Sequence, residues 1–304
     1  MFDVEATLPS HYTDAFEANL GSVPQQIGSR LVSVVDSQLN VTNSGDMFNA
    51  DDLEASSGPK PIEDRFGKSP EGARGKKRRV GFYEAYDDGE WVDDIDVAKS
   101  LSDPTNETMM SMQWGHERYR DDCIIRTLDA PAREGRTGET SVPFPTSQVI
   151  AVDSWAYKRK GDTSSGAAPL TFAKINHART KLGKSQIMGR RTWVTNEEGV
   201  GQLLTDPTIT DRESSAVQML MSGELSSFMG FDWVITERLP LESTGVRKNF
   251  AFVRPAIMYR EKKLTAARIV QRADRKFNWY AYYKGMNGAL RRFDTAVVKI
   301  LCAE

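Results

Sequence analysis

Cysteine is scarce: Cys123 and Cys302 are the only two in 304 residues. Two thiols build neither a disulfide framework nor a four-cysteine metal site. No stretch of about 18 consecutive apolar residues occurs, which excludes a helical membrane span. The first ten residues carry Asp3 and Glu5 and lack the cationic-then-apolar pattern of a secretory leader, so export by that route is not expected. Histidine is almost as rare, and His11, His116 and His177 share no HExxH or i,i+4 spacing that would hold a metal. Net charge is nearly absent too, since 40 Lys+Arg stand against 42 Asp+Glu, a balance of −2. That balance excludes a highly basic nucleic-acid-coating chain. What is present is 39 % hydrophobic and 27 % charged, an ordinary globular composition with length for one large domain or two modest ones.

The small total hides segregation. From Lys60 to Arg79 eight basic residues (Lys60, Arg65, Lys68, Arg74, Lys76, Lys77, Arg78, Arg79) face Glu63, Asp64 and Glu71, a net +5. From Glu84 to Asp103 eight acidic residues (Glu84, Asp87, Asp88, Glu90, Asp93, Asp94, Asp96, Asp103) face Lys99 alone, a net −7. From Arg254 to Lys299 twelve basic residues face Glu261, Asp274 and Asp294, a net +9. Blocks of this kind direct a chain toward charged partners, either nucleic acid or further copies of itself.

The pattern of elements follows from punctuation and period. Residues 1–45 form a weakly apolar arm whose β-prone stretch is Leu31–Val35, with too few apolar residues to close a core. Residues 46–97 contain two strand-like arms around a breaker-rich centre at Ser56–Pro61, with the returning strand at Arg78–Tyr86. Asp103 as N-cap and Pro104 at the first helical position open a long helix running to about Leu128. Met109, Met112, His116, Tyr119 and Cys123 share one face of it, while Glu117, Arg118, Arg120, Asp121 and Asp122 fall mostly elsewhere, solvated or paired. Further helices are expected at 170–182, with Gly183 as the stop, at 196–204 and at 214–221. Strands are expected at 147–153, 191–195, 231–239, 250–253, 267–270, 278–283 and 296–301. Helices and strands mix without βαβ regularity, so the class is α+β.

Catalytic chemistry finds little support. His116 on an apolar helix face reads as a core histidine, and the two cysteines as small apolar residues. Gly183-Lys184-Ser185 lacks the upstream glycine of a phosphate loop and follows a helix instead of a strand. The pairs Asp87-Asp88, Asp93-Asp94 and Asp121-Asp122 have no EF-hand register. A hydrolase using Cys123 or an acidic pair ranks last. No cofactor is expected. Lys76–Arg79 and the C-terminal basic segment, where Arg272, Arg275, Lys276, Arg291 and Arg292 interleave with Phe277, Trp279, Tyr280, Tyr282 and Tyr283, would suit a basic-patch nucleic-acid-binding module, the alternative reading.

The order of motifs is similar to that of one group of tailed-bacteriophage major capsid proteins with the Hong Kong 97 fold. The resemblance rests on Arg78-Arg79-Val80, the aromatic-acidic run Tyr86–Trp91, Ile95-Asp96, Leu101-Ser102-Asp103-Pro104 and Arg118-Tyr119-Arg120-Asp121-Asp122-Cys123-Ile124-Ile125. Gly288-Ala289-Leu290-Arg291 leading to Val297–Cys302 matches the same group. Val97 and Asp129-Ala130-Pro131 depart from its usual pattern.

The resemblance implies an N-terminal arm at 1–45 that reaches along neighbours and an extended loop at 46–97 that overlaps the adjacent subunit. It implies a peripheral domain from 98–130 and 255–304 built on the long helix, and an axial domain at 131–254. The implied function is self-assembly into hexamers and pentamers of an icosahedral head enclosing double-stranded DNA, in a virion assembled in the bacterial cytoplasm. The implied protein is structural, not an enzyme. Its expected partners are itself, a portal, a separate scaffolding protein (about 45 residues before the loop being too few for a fused scaffold), a decoration or cement protein, and packaged DNA without sequence preference. No membrane is expected. The expected inter-subunit residues are Arg65, Lys68, Arg74, Lys76, Lys77, Arg78 and Arg79 against Glu84, Asp87, Asp88, Glu90, Asp93 and Asp94. Arg272, Arg275, Lys276, Arg291 and Arg292 are the expected DNA-facing set. No motif identifies an Asn to crosslink with Lys76 or Lys77.

Overall fold

A computed structural model describes residues 26–42, 45–54, 58, 61, 74–92, 104–154, 166–204, 215–219, 227–262 and 268–304. Arg65, Lys68, Asp93, Asp94, the Asp103 cap and the first 25 residues of the arm lie outside the described residues. In chain order the elements begin with β1 (Asp36–Val41), β2 (Met47–Leu53), β3 (Lys76–Phe82) and β4 (Glu84–Val92). Helix α1 (Pro104–Asp129) is followed by β5 (Ala132–Glu134), β6 (Thr140–Val142), β7 (Val149–Ile150), α2 (Phe172–Lys184), β8 (Arg191–Thr195) and α3 (Glu197–Leu204). Then come β9 (Ser227–Phe228), β10 (Phe231–Ile235), β11 (Leu241–Ser243), β12 (Val246–Val253), β13 (Ile257–Lys262), β14 (Arg268–Gln271), β15 (Trp279–Arg291) and β16 (Val297–Ala303).

Among the described residues the strands form three sheets. In the first, β15 is flanked on one side by β13 and β14 and on the other by β4, and β1 adds in parallel to β13. In the second, β12 and β16 run antiparallel at the centre, with β8, β10 and β9 beyond one side, β7 beyond the other and β11 on β12. The third is small: the β2–β3 hairpin continued by β5 and β6.

At 26 residues and 1.5 Å per residue, α1 is a rod about 39 Å long. It lies against β15, β13 and β4. Its apolar face is the expected one, with Met112, His116 and Cys123 buried and joined by Ile124, Ile125 and Leu128. One core runs from this helix into the second sheet, where Trp193, Phe250, Phe252, Val298 and Ile300 meet Ile175 and Leu182 of α2. Each such side chain contributes on the order of 1.5–3 kcal/mol by leaving water. Thr171 caps α2 by accepting from the Lys174 backbone N–H. Lys174 itself is fully buried and donates to the carbonyls of Ala168 (2.6 Å) and Leu301 (2.8 Å), tying α2 to β16, and burial pushes its pKa down.

The structure corrects several sequence expectations. The end of the arm is part of the subunit: Leu31 and Val35 are fully buried in the main core and β1 pairs with β13. Leu31–Val35 turns instead of extending, with the Val34 N–H on the Leu31 carbonyl (3.1 Å), and Asp121 collects the donors of the residues leading into it. That carboxylate, expected to be solvated or paired, is fully buried and accepts from Gln26, Ser29 Oγ (2.5 Å) and the backbone N–H groups of Arg30 (3.1 Å) and Leu31 (3.0 Å). The returning strand breaks at Tyr83, with β3 staying in the hairpin and β4 joining β15. Gly183 lies inside α2, which runs one residue further. Of the C-terminal strands, β13, β14 and β15 share the sheet under α1, while β16 crosses into the second sheet. The segment 132–142 joins the hairpin sheet.

Candidate assembly surface

The hairpin is held by charges that alternate with the pleat. Asp51 and Asp52 are adjacent on β2, so they face opposite ways. Asp51 accepts from Arg78 Nε (2.5 Å) and Nη2 (2.8 Å) on the facing strand, which holds its carboxyl below the usual range. Asp52 instead accepts from Arg292, at 2.5–3.0 Å. Lys77 stands 3.7 Å from Glu54, both well exposed. Arg79 points inward, 92 % buried, to Glu134 at 3.2 Å and Asp294 at 2.5 Å.

Backbone approach at the hairpin root is equally close. A Cβ on Gly288 of β15 would lie 2.3 Å from the carbonyl oxygen of Phe82, so only glycine lets β3 end against β15 there. Apolar side chains remain outside: Met47, Leu53 and Phe82 of the hairpin are each more than two-fifths exposed.

The expected basic-against-acidic set is therefore divided. Arg78 and Arg79 are engaged within their own chain, and not by the acidic run. Arg74 and Lys76 are exposed and make no ion pair among the described residues. Glu84 meets Arg126 at 3.3 Å. Asp87, Asp88 and Glu90 lie exposed on β4, an edge strand among the described residues, and make no salt bridge with any of them.

The expected DNA-facing set divides too. Arg291 is 1 % exposed, bound to Asp294 (2.7 Å), to the Leu128 carbonyl that α1 leaves unpaired and to the Ala130 carbonyl just beyond the helix, so it presents nothing to DNA. Arg292 is half-buried on Asp52. Arg272, Arg275 and Lys276 are exposed on the turn between β14 and β15. There Phe277 is 62 % exposed, and Arg275 lies 5.9 Å from the centre of the Trp91 ring. Lys276 and Phe277 both adopt left-handed backbone angles (φ +54° and +62°). The partners Asp51, Asp52, Glu134 and Asp294 escaped sequence reasoning. Adjacent aspartates on a strand were the one available signal, since each needs a partner on a different face.

His116 and Cys123 sit in the surroundings of structural residues. His116 is buried, 3.4 Å from Glu261 and within hydrogen-bond distance of the hydroxyls of Tyr86 and Tyr283. Burial pulls the Glu261 carboxyl up, but hydrogen bonds from His116 and Arg120 outweigh it and hold the carboxyl below its usual value. Burial pushes the Cys123 thiol up to about 12, the opposite of what a nucleophile needs. No three His, Cys, Asp or Glu side chains converge on a metal-sized site among the described residues.

A family model described as "Phage capsid protein" matches residues 8–304. No curated protein matches. Among solved structures, the capsid of cyanophage Pam1 aligns with a TM-score of 0.69 at 12 % identity, covering 100 % of this chain and 99 % of that one. The capsid of cyanophage P-SCSP1u aligns at 0.64 and 10 % identity, covering 100 % and 99 %. A chain of Mycobacterium phage Che8 aligns at 0.60 and 14 % identity, covering 94 % and 98 %. At these identities the shared property is the fold.

Proposed function

The chain belongs to the phage capsid protein family, and from that premise we propose that its exposed charged and apolar faces join copies of it into hexamers and pentamers. It is a major capsid protein with the Hong Kong 97 fold that builds the head of a tailed phage and resides in the virion. The stand-alone nucleic-acid module finds no support. Two of the arginines it would use, Arg79 and Arg291, are buried on carboxylates of their own chain.

The observation that carries the assembly reading is the hairpin sheet. The core it shares with the first sheet is slight, Ala50 against Met258 and Leu290 with Phe48 packed on them, while Met47, Leu53 and Phe82 stay exposed. Apolar surface left on a small sheet gains its burial from a neighbour. In this reading Arg74, Lys76 and Lys77 on one copy face Asp87, Asp88 and Glu90 on the next. Complementary charge fixes register more than affinity.

Arg272, Arg275 and Lys276 supply sequence-independent contact with packaged DNA where their turn faces the interior. The chain acts as a structural protein, not as an enzyme. A portal, a separate scaffolding protein and a decoration or cement protein complete the particle. The test is to express the chain with its phage's scaffolding protein and examine the product by electron microscopy and native mass spectrometry. Capsomers and closed shells are expected, and a monomer under every assembly condition overturns the reading.

A further inference from the structure

Between Gly166 and Asn196 the chain carries six basic residues, Lys174, Arg179, Lys181, Lys184, Arg190 and Arg191, and not one Asp or Glu. Lys174 is spent inside the fold, but Arg179, Lys184 and Arg190 are exposed and Lys181 and Arg191 half-buried. The fold gathers these five around α2. Two positions on a helix are about 200° apart, so Arg179 and Lys181 flank the outward face of α2, with Lys184 between them. Arg190 and Arg191, past the end of the helix, line one hollow of about 370 Å³ with Arg179 and Asp232. Asp232 meets Arg190 at 3.0 Å, while Arg179, Lys181, Lys184 and Arg191 make no ion pair among the described residues. Five cations against that one carboxylate leave +4.

The excess is felt within the patch. Burial lowers the pKa of His177 and of Lys181, and the charge of Lys184 lowers both further, joined at His177 by Lys181. Lys181 and Lys184 stand in the last turn of α2, where the helix dipole favours cations, but that dipole does not account for Arg179 or Arg191. The surface is also preformed. A Cβ on Gly189 would lie 2.8 Å from Pro255 and 2.9 Å from Val253, and the Arg254 N–H donates to the Arg190 carbonyl (2.9 Å). The loop after α2 is thereby fixed against the end of β12. Chemistry selects the partner. A protein partner is met by a core of apolar and aromatic side chains, a phosphate backbone by cations and neutral polar groups. Within 166–196 the one large apolar side chain that stands exposed is Met188, and no aromatic ring is exposed to stack on an unpaired base. We propose that the outward face of α2, with Arg190 and Arg191, binds the phosphate backbone of double-stranded DNA without sequence preference. The proposal rests on the reading of the chain as a shell around DNA, and adds a second surface to the turn at Arg272, Arg275 and Lys276.

The experiment titrates the purified, unassembled full chain into a short fluorescent DNA duplex at several chloride concentrations. Arg179→Ala with Lys184→Ala removes two exposed side chains that make no ion pair among the described residues. Affinity at low salt should fall roughly tenfold or more, and the slope of log affinity against log salt should drop by about two. Arg272→Ala with Lys276→Ala is the comparison. If that variant weakens binding and the α2 variant does not, the proposal falls and the earlier DNA reading stands. If the parent does not bind, or neither variant weakens it, both fall. Within particles, acetylation of Lys184 should be slower in DNA-filled heads than in emptied ones. Equal labelling places the face away from DNA and overturns the proposal. Protection only in DNA-free heads that hold scaffolding protein assigns the face to a protein partner, and overturns it as well.

Discussion

Arg292 closes on Asp52 at 2.5 Å although 240 residues separate them in sequence. This pair joins the hairpin to the segment between β15 and β16, one residue from the buried Arg291–Asp294 pair. Asp51, next along the same strand, serves the hairpin itself through Arg78. The two carboxylates thus divide the work, one holding strand to strand and the other holding hairpin to body.

Removing the second contact should loosen the hairpin without unfolding the chain. The Asp52 and Arg292 side chains are 21 % and 29 % exposed, so Arg292→Met should cost roughly 1–2 kcal/mol, between surface and buried values. Arg78→Met, at a pair about half exposed and screened by solvent, should cost less. Urea denaturation of unassembled subunits measures both. Hydrogen exchange across 47–53 should accelerate in Arg292→Met more than in Arg78→Met, and equal exchange would refute the division of labour.

Asp121 organises the turn at 28–31 from inside the core, and its loss should be among the most destabilising single changes. Asp121→Ala strands the backbone N–H groups of Arg30 and Leu31 and the Ser29 hydroxyl, a cost of about 2–4 kcal/mol. Asp121→Asn keeps the shape but turns donors toward donors and should recover little of it. Leu31→Ala, removing a fully buried side chain from the same turn, should cost about 2–5 kcal/mol. Thermal melts of the unassembled subunit check all three. A loss below about 1 kcal/mol for both alanine variants would mean the turn is not docked in solution.

How far the sequence was legible follows from the range of each interaction. The long helix was readable because Met109, Met112, His116, Tyr119 and Cys123 repeat at helical spacing and Pro104 marks its start, all local signals. β15 was visible only as 278–283, because its second half, Lys284-Gly285-Met286-Asn287-Gly288, carries two glycines that weaken strand propensity. Gly288 is there for the Phe82 carbonyl, a neighbour about 200 positions away in sequence that no local pattern reveals. The basic and acidic blocks were legible as charge, but the partners of Arg78, Arg79 and Arg291 were not, since pairing depends on which sheet each strand joins. The break at Tyr83, which sends β4 to a different sheet from β3, decided that.

Acid should destabilise the subunit through Glu261 and Asp129. Burial raises both carboxyl pKa values, but hydrogen bonds from His116 and Arg120 on Glu261, and from Lys248 and Lys299 on Asp129, outweigh it and hold them below their ordinary 4.5 and 3.8. A folded pKa below the unfolded one means the contribution is fully present above the unfolded value. It is lost as pH falls through the folded value. Stability should therefore be level in these terms near neutrality and fall below about pH 4.5. In Glu261→Gln the chain is weaker at neutral pH, because Arg120 keeps only its Glu117 pair, but the slope of stability against pH below 4.5 becomes shallower. Urea midpoints across that range decide it, and an unchanged slope would remove Glu261 from the account.

The proposed charged contact between copies is tested by exchange. Each exposed pair is worth only about 0–1 kcal/mol, too little to judge from one subunit's stability. A shell repeats the contact many times, so a reversal that leaves the fold intact should still abolish closure. Lys76→Glu with Lys77→Glu places like charges opposite Asp87 and Asp88 of a neighbour, and the yield of closed shells should collapse while the subunit melts within about 0.5 kcal/mol of the parent. Asp87→Lys with Asp88→Lys should fail in the same way. Combining all four changes restores opposite charges across the contact and should restore shells. The combination separates a mutual contact from two unrelated ones, because independent defects add and do not cancel. Electron micrographs count the shells. Failure of the quadruple variant, with each double variant folded, would mean that these two surfaces do not meet.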